Sequence, residues 1–77
     1  MSKLGDYVRA TDLSGKEVEG IYGDDKDPFT IAVLDIMEGL TLCPRESAQT
    51  IPDRELNTKT LELANDLRIG YGLVTVH

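Results

Sequence analysis

The chain is predicted to be mostly β with one C-terminal helix, folded as a small antiparallel β-barrel. Three observations carry this. The first half alternates apolar and polar residues in short runs broken by turn-forming clusters. A single stretch, residues 58–68, repeats its apolar positions at helical spacing. Gly20 stands inside an alternating run, where it weakens a strand unless the sheet bends or another backbone comes close. The sequence has no internal repeat, low-complexity tract or linker, so residues 1–77 are taken as one domain: a barrel over about 5–51, the helix, and a final strand over about 71–76.

The elements follow in order. Asp6 to Thr11 is a short strand that stops at the turn-rich Asp12-Leu13-Ser14-Gly15. Lys16 to Tyr22 alternates, with Val18, Gly20 and Tyr22 on one side and Glu17, Glu19 and Ile21 on the other, as in an antiparallel sheet with one wet face. Ser14-Gly15 joins the two runs as a hairpin, glycine supplying the positive φ that such turns need. After the polar loop Gly23 to Pro28 comes Phe29 to Asp35, apolar on both faces and therefore a covered strand. Ile36 to Gly39 is a turn, and Leu40 to Cys43 alternates again before Pro44. Val8, Val18, Tyr22, Phe29, Ile31, Val33 and Leu42 are the expected barrel core.

The second half changes period. Thr50-Ile51-Pro52-Asp53 has a Thr cap, a Pro suited to a first turn and an acid three residues after the Thr, so a helical turn is expected near Asp53 to Leu56. In the main helix Leu56, Thr60, Leu63, Ala64 and Leu67 share one stripe, and Lys59, Glu62 and Asp66 lie off it. Arg68 suits the last turn and Gly70 serves as the stop. An isolated helix of this length is marginal in water, so Leu56, Leu63 and Leu67 are expected to dock it on the barrel or on a second subunit.

Eight Lys plus Arg against 14 Asp plus Glu give a net charge of −6. That balance argues against non-specific DNA binding, which relies on cationic side chains displacing counterions from phosphates, and against an anionic membrane surface. No apolar run resembles a signal peptide or a membrane span, and the one free Cys suits a reducing compartment; the expected location is the cytoplasm, that of the host cell if the chain is viral. One Cys forms no internal disulfide, and one Cys with one His makes no zinc cluster, so neither a metal nor a cofactor is expected. With so thin a core and no staple, self-association is expected, as a dimer through strand edges or through Leu73, Val74 and Val76 of the final segment.

Short, strongly bent strands with a glycine in the second form the pattern of SH3-like small barrels. Within that group residues 5–35 resemble the first motif of Sm-like proteins: Val8 and Ala10, then Gly15, then Val18 and Gly20, then Tyr22, and Phe29, Ile31 and Val33 in the third strand. The resemblance implies a bent barrel and a ring-like oligomer that takes a nucleotide or RNA ligand. The sequence departs from it where the family has a loop Asp and an Asn that helps hold a nucleobase, positions occupied by Lys26 and Thr30. The family's Arg-Gly motif is half matched by Arg45-Glu46, and its helix precedes the strands where this one follows them.

Asp24, Asp25 and Asp27 crowd one loop, but the spacing lacks the glycine and distant Glu of a calcium loop and Lys26 opposes a cation; they are a solvated acidic tip. Glu17 and Glu19 stand about 7 Å apart on one strand face, an exposed pair without the cleft that acid–base catalysis needs. Cys43 has no internal His as a base and is a small buried apolar residue. Arg45 and Arg54 are surface arginines able to fork onto a phosphate or carboxylate.

These readings describe a non-enzymatic binding module. Tyr7, Arg9, Glu17, Glu19, Asp24, Asp25 and Asp27 are its candidate partner-binding residues, and the partner is expected to be a protein with a basic surface. Small acidic domains of this kind are frequent among bacteriophage accessory proteins that inhibit or redirect a host protein. The alternative is an Sm-like oligomer that sequesters a small nucleotide or RNA ligand.

Overall fold

A computed structural model describes residues 3–24, 27–35 and 39–72. The fold is mostly β: strands β1 (Tyr7–Thr11), β2 (Glu17–Asp24), β3 (Thr30–Asp35), β4 (Gly39–Pro44) and β5 (Gln49–Thr50), then the helix α1 (Thr58–Gly70). Every neighbouring pair is antiparallel and the order is β4-β3-β2-β1-β5. Among the described residues the hydrogen-bonded ladder does not close, and the chain passes from β4 to β5 through a 3₁₀ turn, Arg45–Ser47. The observed architecture is thus mostly β, a five-stranded antiparallel sheet with a C-terminal helix, as the sequence predicts.

The turn between β1 and β2 forms as its composition demands. Asp12 Oδ1 accepts from the Ser14 amide at 2.9 Å, the Ser14 hydroxyl at 2.7 Å and the Lys16 amide at 2.9 Å. These bonds favour the charged carboxylate and hold its pKa below the usual range.

Alternation then sorts side chains onto two faces. Val8, Ala10, Val18, Tyr22, Ile31, Val33 and Cys43 form one buried cluster, drawn from four strands. Tyr7, Ile21 and Leu34 form a second on the opposite face, where Ala64, Leu67, Leu56 and Ile51 cover them. The doubly apolar β3 is explained by this arrangement: Ile31 and Val33 supply the first cluster and Leu34 the second.

Two expected core residues lie elsewhere. Phe29 is 80% exposed, because β3 begins one residue later and the aromatic ring falls past the end of the sheet. Leu42 is 50% exposed, because β4 turns Cys43 inward opposite Ile31 and sends Leu42 to the helix face, at an edge that α1 does not reach. Tyr71 and Gly72, expected to open a final strand, instead form a turn that ends α1, with the Tyr71 amide donating to the Leu67 carbonyl. The remainder of that expected strand, 73–76, and the turn 36–38 lie outside the described residues. Thr50 is a β5 residue opposite Val8, and the helical turn expected after it is present at Asp53–Glu55 with Pro52, not Thr50, in the cap position.

The helix starts at an Asn57 cap that accepts from the Thr60 amide at 2.8 Å and runs through Gly70. Ala64 is fully buried, so the helix sits close to the sheet, while Leu63 rolls towards its exposed side. One turn on, Arg68 is buried and acts as a clamp. Its guanidinium donates to the Gly5 carbonyl at 2.6 Å, to both Asp53 carboxylate oxygens at 2.9 Å, and to Asn65 Oδ1 at 2.9 Å. The helix end, the 3₁₀ turn and the N-terminal segment are tied through one side chain. Arg68→Lys is expected to cost about 2 kcal/mol, since an ammonium cannot reproduce the fork and a buried carbonyl loses its donor. Chemical denaturation reads this directly, and a loss below about 0.5 kcal/mol would show that the clamp is redundant.

Candidate functional site

An open cleft of about 720 Å³ lies on the sheet-and-helix face. Its floor and one wall are Tyr7 of β1, Glu17 and Glu19 of β2 and Asp35 at the end of β3. The opposite wall is Asn57 to Thr60 at the start of α1, followed by Leu63. The two Glu lie on the face of β2 that Ile21 shares, beyond the part covered by α1, and the antiparallel register sets Arg9 directly across from Glu19. Arg9 donates to Glu19 through Nε at 3.0 Å and Nη2 at 2.9 Å, and its Nε lies 3.6 Å from Glu17. The neighbouring carboxylates hold the guanidinium charged, the Glu19 hydrogen bond contributing most.

Tyr7 is the unusual member. The residue is 4% exposed and packs with Ile21 and Leu34, yet it lines the cleft. Burial pushes its phenol pKa up, and the charges of Glu19 and Asp35 push it further in the same direction. A phenol beside three carboxylates suits a cationic donor such as a guanidinium or ammonium group. Lys59 and the N-terminal end of α1 offset part of this negative field from the opposite wall.

Of the seven candidate partner-binding residues, Tyr7, Arg9, Glu17 and Glu19 come together at this cleft. Asp24 and Asp27 do not; they border a separate, smaller depression with Thr30, Ala32 and Leu42. Asp27 has a local role there, its Oδ1 accepting from the Phe29 amide at 2.7 Å and the Thr30 amide at 3.2 Å, which starts β3. Asp25 lies outside the described residues, as do Leu73, Val74 and Val76. Asp35 and the Asn57–Thr60 wall were missed. Nothing local marks them, since they reach the cleft only through the pairing of β3 with β2 and the docking of α1.

Other residues take structural parts. Arg45 donates to the Tyr22 hydroxyl at 3.1 Å, to the Asp27 carbonyl at 2.6 Å and to the Pro28 carbonyl at 3.2 Å, pinning the β2–β3 loop to the end of β4. Cys43 is fully buried and burial raises its thiol pKa, as expected for a packed residue. Among the described residues no helix is long and apolar enough to cross a membrane, and no group of acidic, His or Cys side chains is arranged to hold a metal ion. Comparison with protein-family models, curated proteins and solved structures finds no match to this chain.

Proposed function

We propose that the chain is a protein-interaction module that takes a basic side chain of another protein into the Tyr7, Glu17, Glu19 and Asp35 cleft. The carrying observation is the acidic cleft itself, in which the largely buried Tyr7 lies beside Glu17, Glu19 and Asp35. The net charge of −6 supports it by steering encounter towards cationic surfaces. A partner whose basic surface normally grips nucleic acid would be blocked by such contact, the accessory role expected from the sequence. The bent sheet is read as a small barrel of SH3-like type.

The test is a titration with a short arginine-rich peptide followed by amide NMR. Shifts are expected at Tyr7, Glu19, Asp35 and Thr60, weakening with salt and falling at least about tenfold in affinity in Asp35→Lys. Shifts spread evenly to Asp53 and Glu55, or none, would sink this reading.

A second reading has one observation in its favour. Gly20 lies where another backbone comes close, and it is the second glycine of the Sm-like resemblance. An Sm-like oligomer holding a small nucleotide would reveal that ligand by native mass spectrometry of gently purified protein.

A further inference from the structure

The ladder phase identifies which backbone groups of β4 are left over. In β1 and β2 the Tyr22 amide donates to the Asp6 carbonyl, which makes Val8–Gly20 and Ala10–Val18 the mutually bonded pairs and turns Glu19 and Ile21 towards β3. On the far side the Arg45 amide donates to the Phe29 carbonyl at 2.9 Å, so Ile31–Cys43, Val33–Thr41 and Asp35–Gly39 are the bonded pairs between β3 and β4. Both routes agree. The N–H and C=O groups of Leu40 and Leu42 therefore point away from the sheet, and β4 pairs with no strand but β3 among the described residues. Pro44, next in that outward row, has no N–H to offer and ends the row.

The side chains of the same two residues are also uncovered. Leu40 lies opposite Leu34 and Leu42 opposite Ala32, so both stand on the helix face, and they are 65% and 50% exposed. In a chain of net charge −6, the strand Gly39–Pro44 carries no charged side chain. It is the longer of the two sheet edges, and along it two copies approach without like-charge repulsion. Edge strands left open are usually guarded by charge, and this one is not.

We infer that β4 is a homodimer interface in which two copies pair antiparallel about a two-fold axis at Thr41. In that register Leu40 of each copy meets Leu42 of the other as mutually bonded pairs, which satisfies the outward N–H and C=O groups of all four residues. The same pairing gathers four leucines on one face of a continuous sheet. Proline at position 44 limits the ladder to this short core. So small a contact falls below the ~1,200–2,000 Å² of stable interfaces, and the dissociation constant is accordingly on the order of 10–100 µM.

Sedimentation equilibrium from about 5 to about 500 µM tests the interface. The weight-average mass should climb from 8.5 kDa towards twice that value. Leu42→Pro deletes an outward N–H and spares the β3 ladder, and Leu40→Lys adds a charge at the seam; each should weaken association at least about tenfold with an unchanged circular dichroism spectrum. Should the proline variant fail to fold, Leu40→Lys decides alone. Amide exchange at Leu40 and Leu42 should also slow as concentration rises. A mass fixed at 8.5 kDa, folded variants that stay dimeric, or a dimer lost only on truncation after Gly72 would each overturn the inference.

Discussion

Ile31→Ala is expected to remove about 3–4 kcal/mol of stability, most of what a domain this small possesses. Ile31 is 1% exposed at the centre of the cluster formed by Val8, Val18, Tyr22, Val33 and Cys43. Truncation deletes apolar contacts and leaves a cavity that four hydrogen-bonded strands cannot readily collapse to fill. Urea denaturation should show a lower midpoint with an unchanged slope. Phe29→Ala is the internal contrast. It removes a larger side chain from two positions earlier, yet the ring is exposed, so the loss should stay within about 0.5 kcal/mol. Equal losses at the two sites would mean that the end of β3 is misplaced.

That pair also shows what alternation can and cannot deliver. Period two put Ile31 and Val33 on one face correctly, because both lie inside β3. The same period carried Phe29 along with them, since periodicity does not say where the neighbouring strand stops. In β4 both Leu42 and Cys43 were expected to be buried, although alternation puts them on opposite faces. Pairing decides between them: Thr41 and Cys43 stand opposite Val33 and Ile31, and the leucines fall on a face whose cover ends before them. Which face is buried depends on partners distant in sequence, so hydrophobicity within one strand cannot decide it.

The helix gives the same lesson in another period. The stripe Leu56, Thr60, Leu63, Ala64 and Leu67 was legible, and Ala64, Leu56 and Leu67 do face the sheet. The contact is centred on the small Ala64 and the buried Arg68, four residues on, so Leu63 rotates out to line the cleft. Arg68 had suggested only a favourable charge at a helix end. Its acceptors, Gly5 and Asp53, are far along the chain, and no local pattern announces them. The cleft is divided similarly: Glu17 and Glu19 were visible from strand alternation, whereas Asp35 and Thr60 required the assembled fold.

Gly20 is the position where sequence and structure agree on a reason. The expectation was a bend or a close backbone, and a Cβ built there would strike the Leu34 carbonyl oxygen, lie 2.7 Å from its carbon and 3.0 Å from the Asp35 Cα. All three are backbone atoms of β3, held in the ladder on both sides, so no rotamer change relieves the contact. Gly20→Ala is therefore expected to cost about 3 kcal/mol, the upper part of the overpacking range, and Gly20→Val should prevent folding. For a domain of this size the alanine variant would melt roughly 12–24 °C lower. Gly15→Ala separates space from backbone strain, because Gly15 has φ +92° with nothing within 4 Å of the added carbon. Only the left-handed penalty applies there, about 1–2 kcal/mol. A Gly20→Ala protein that melts as high as Gly15→Ala would show that β2 and β3 separate at little cost, and the close approach of the two strands at Gly20 would have to be abandoned as the reason for its glycine.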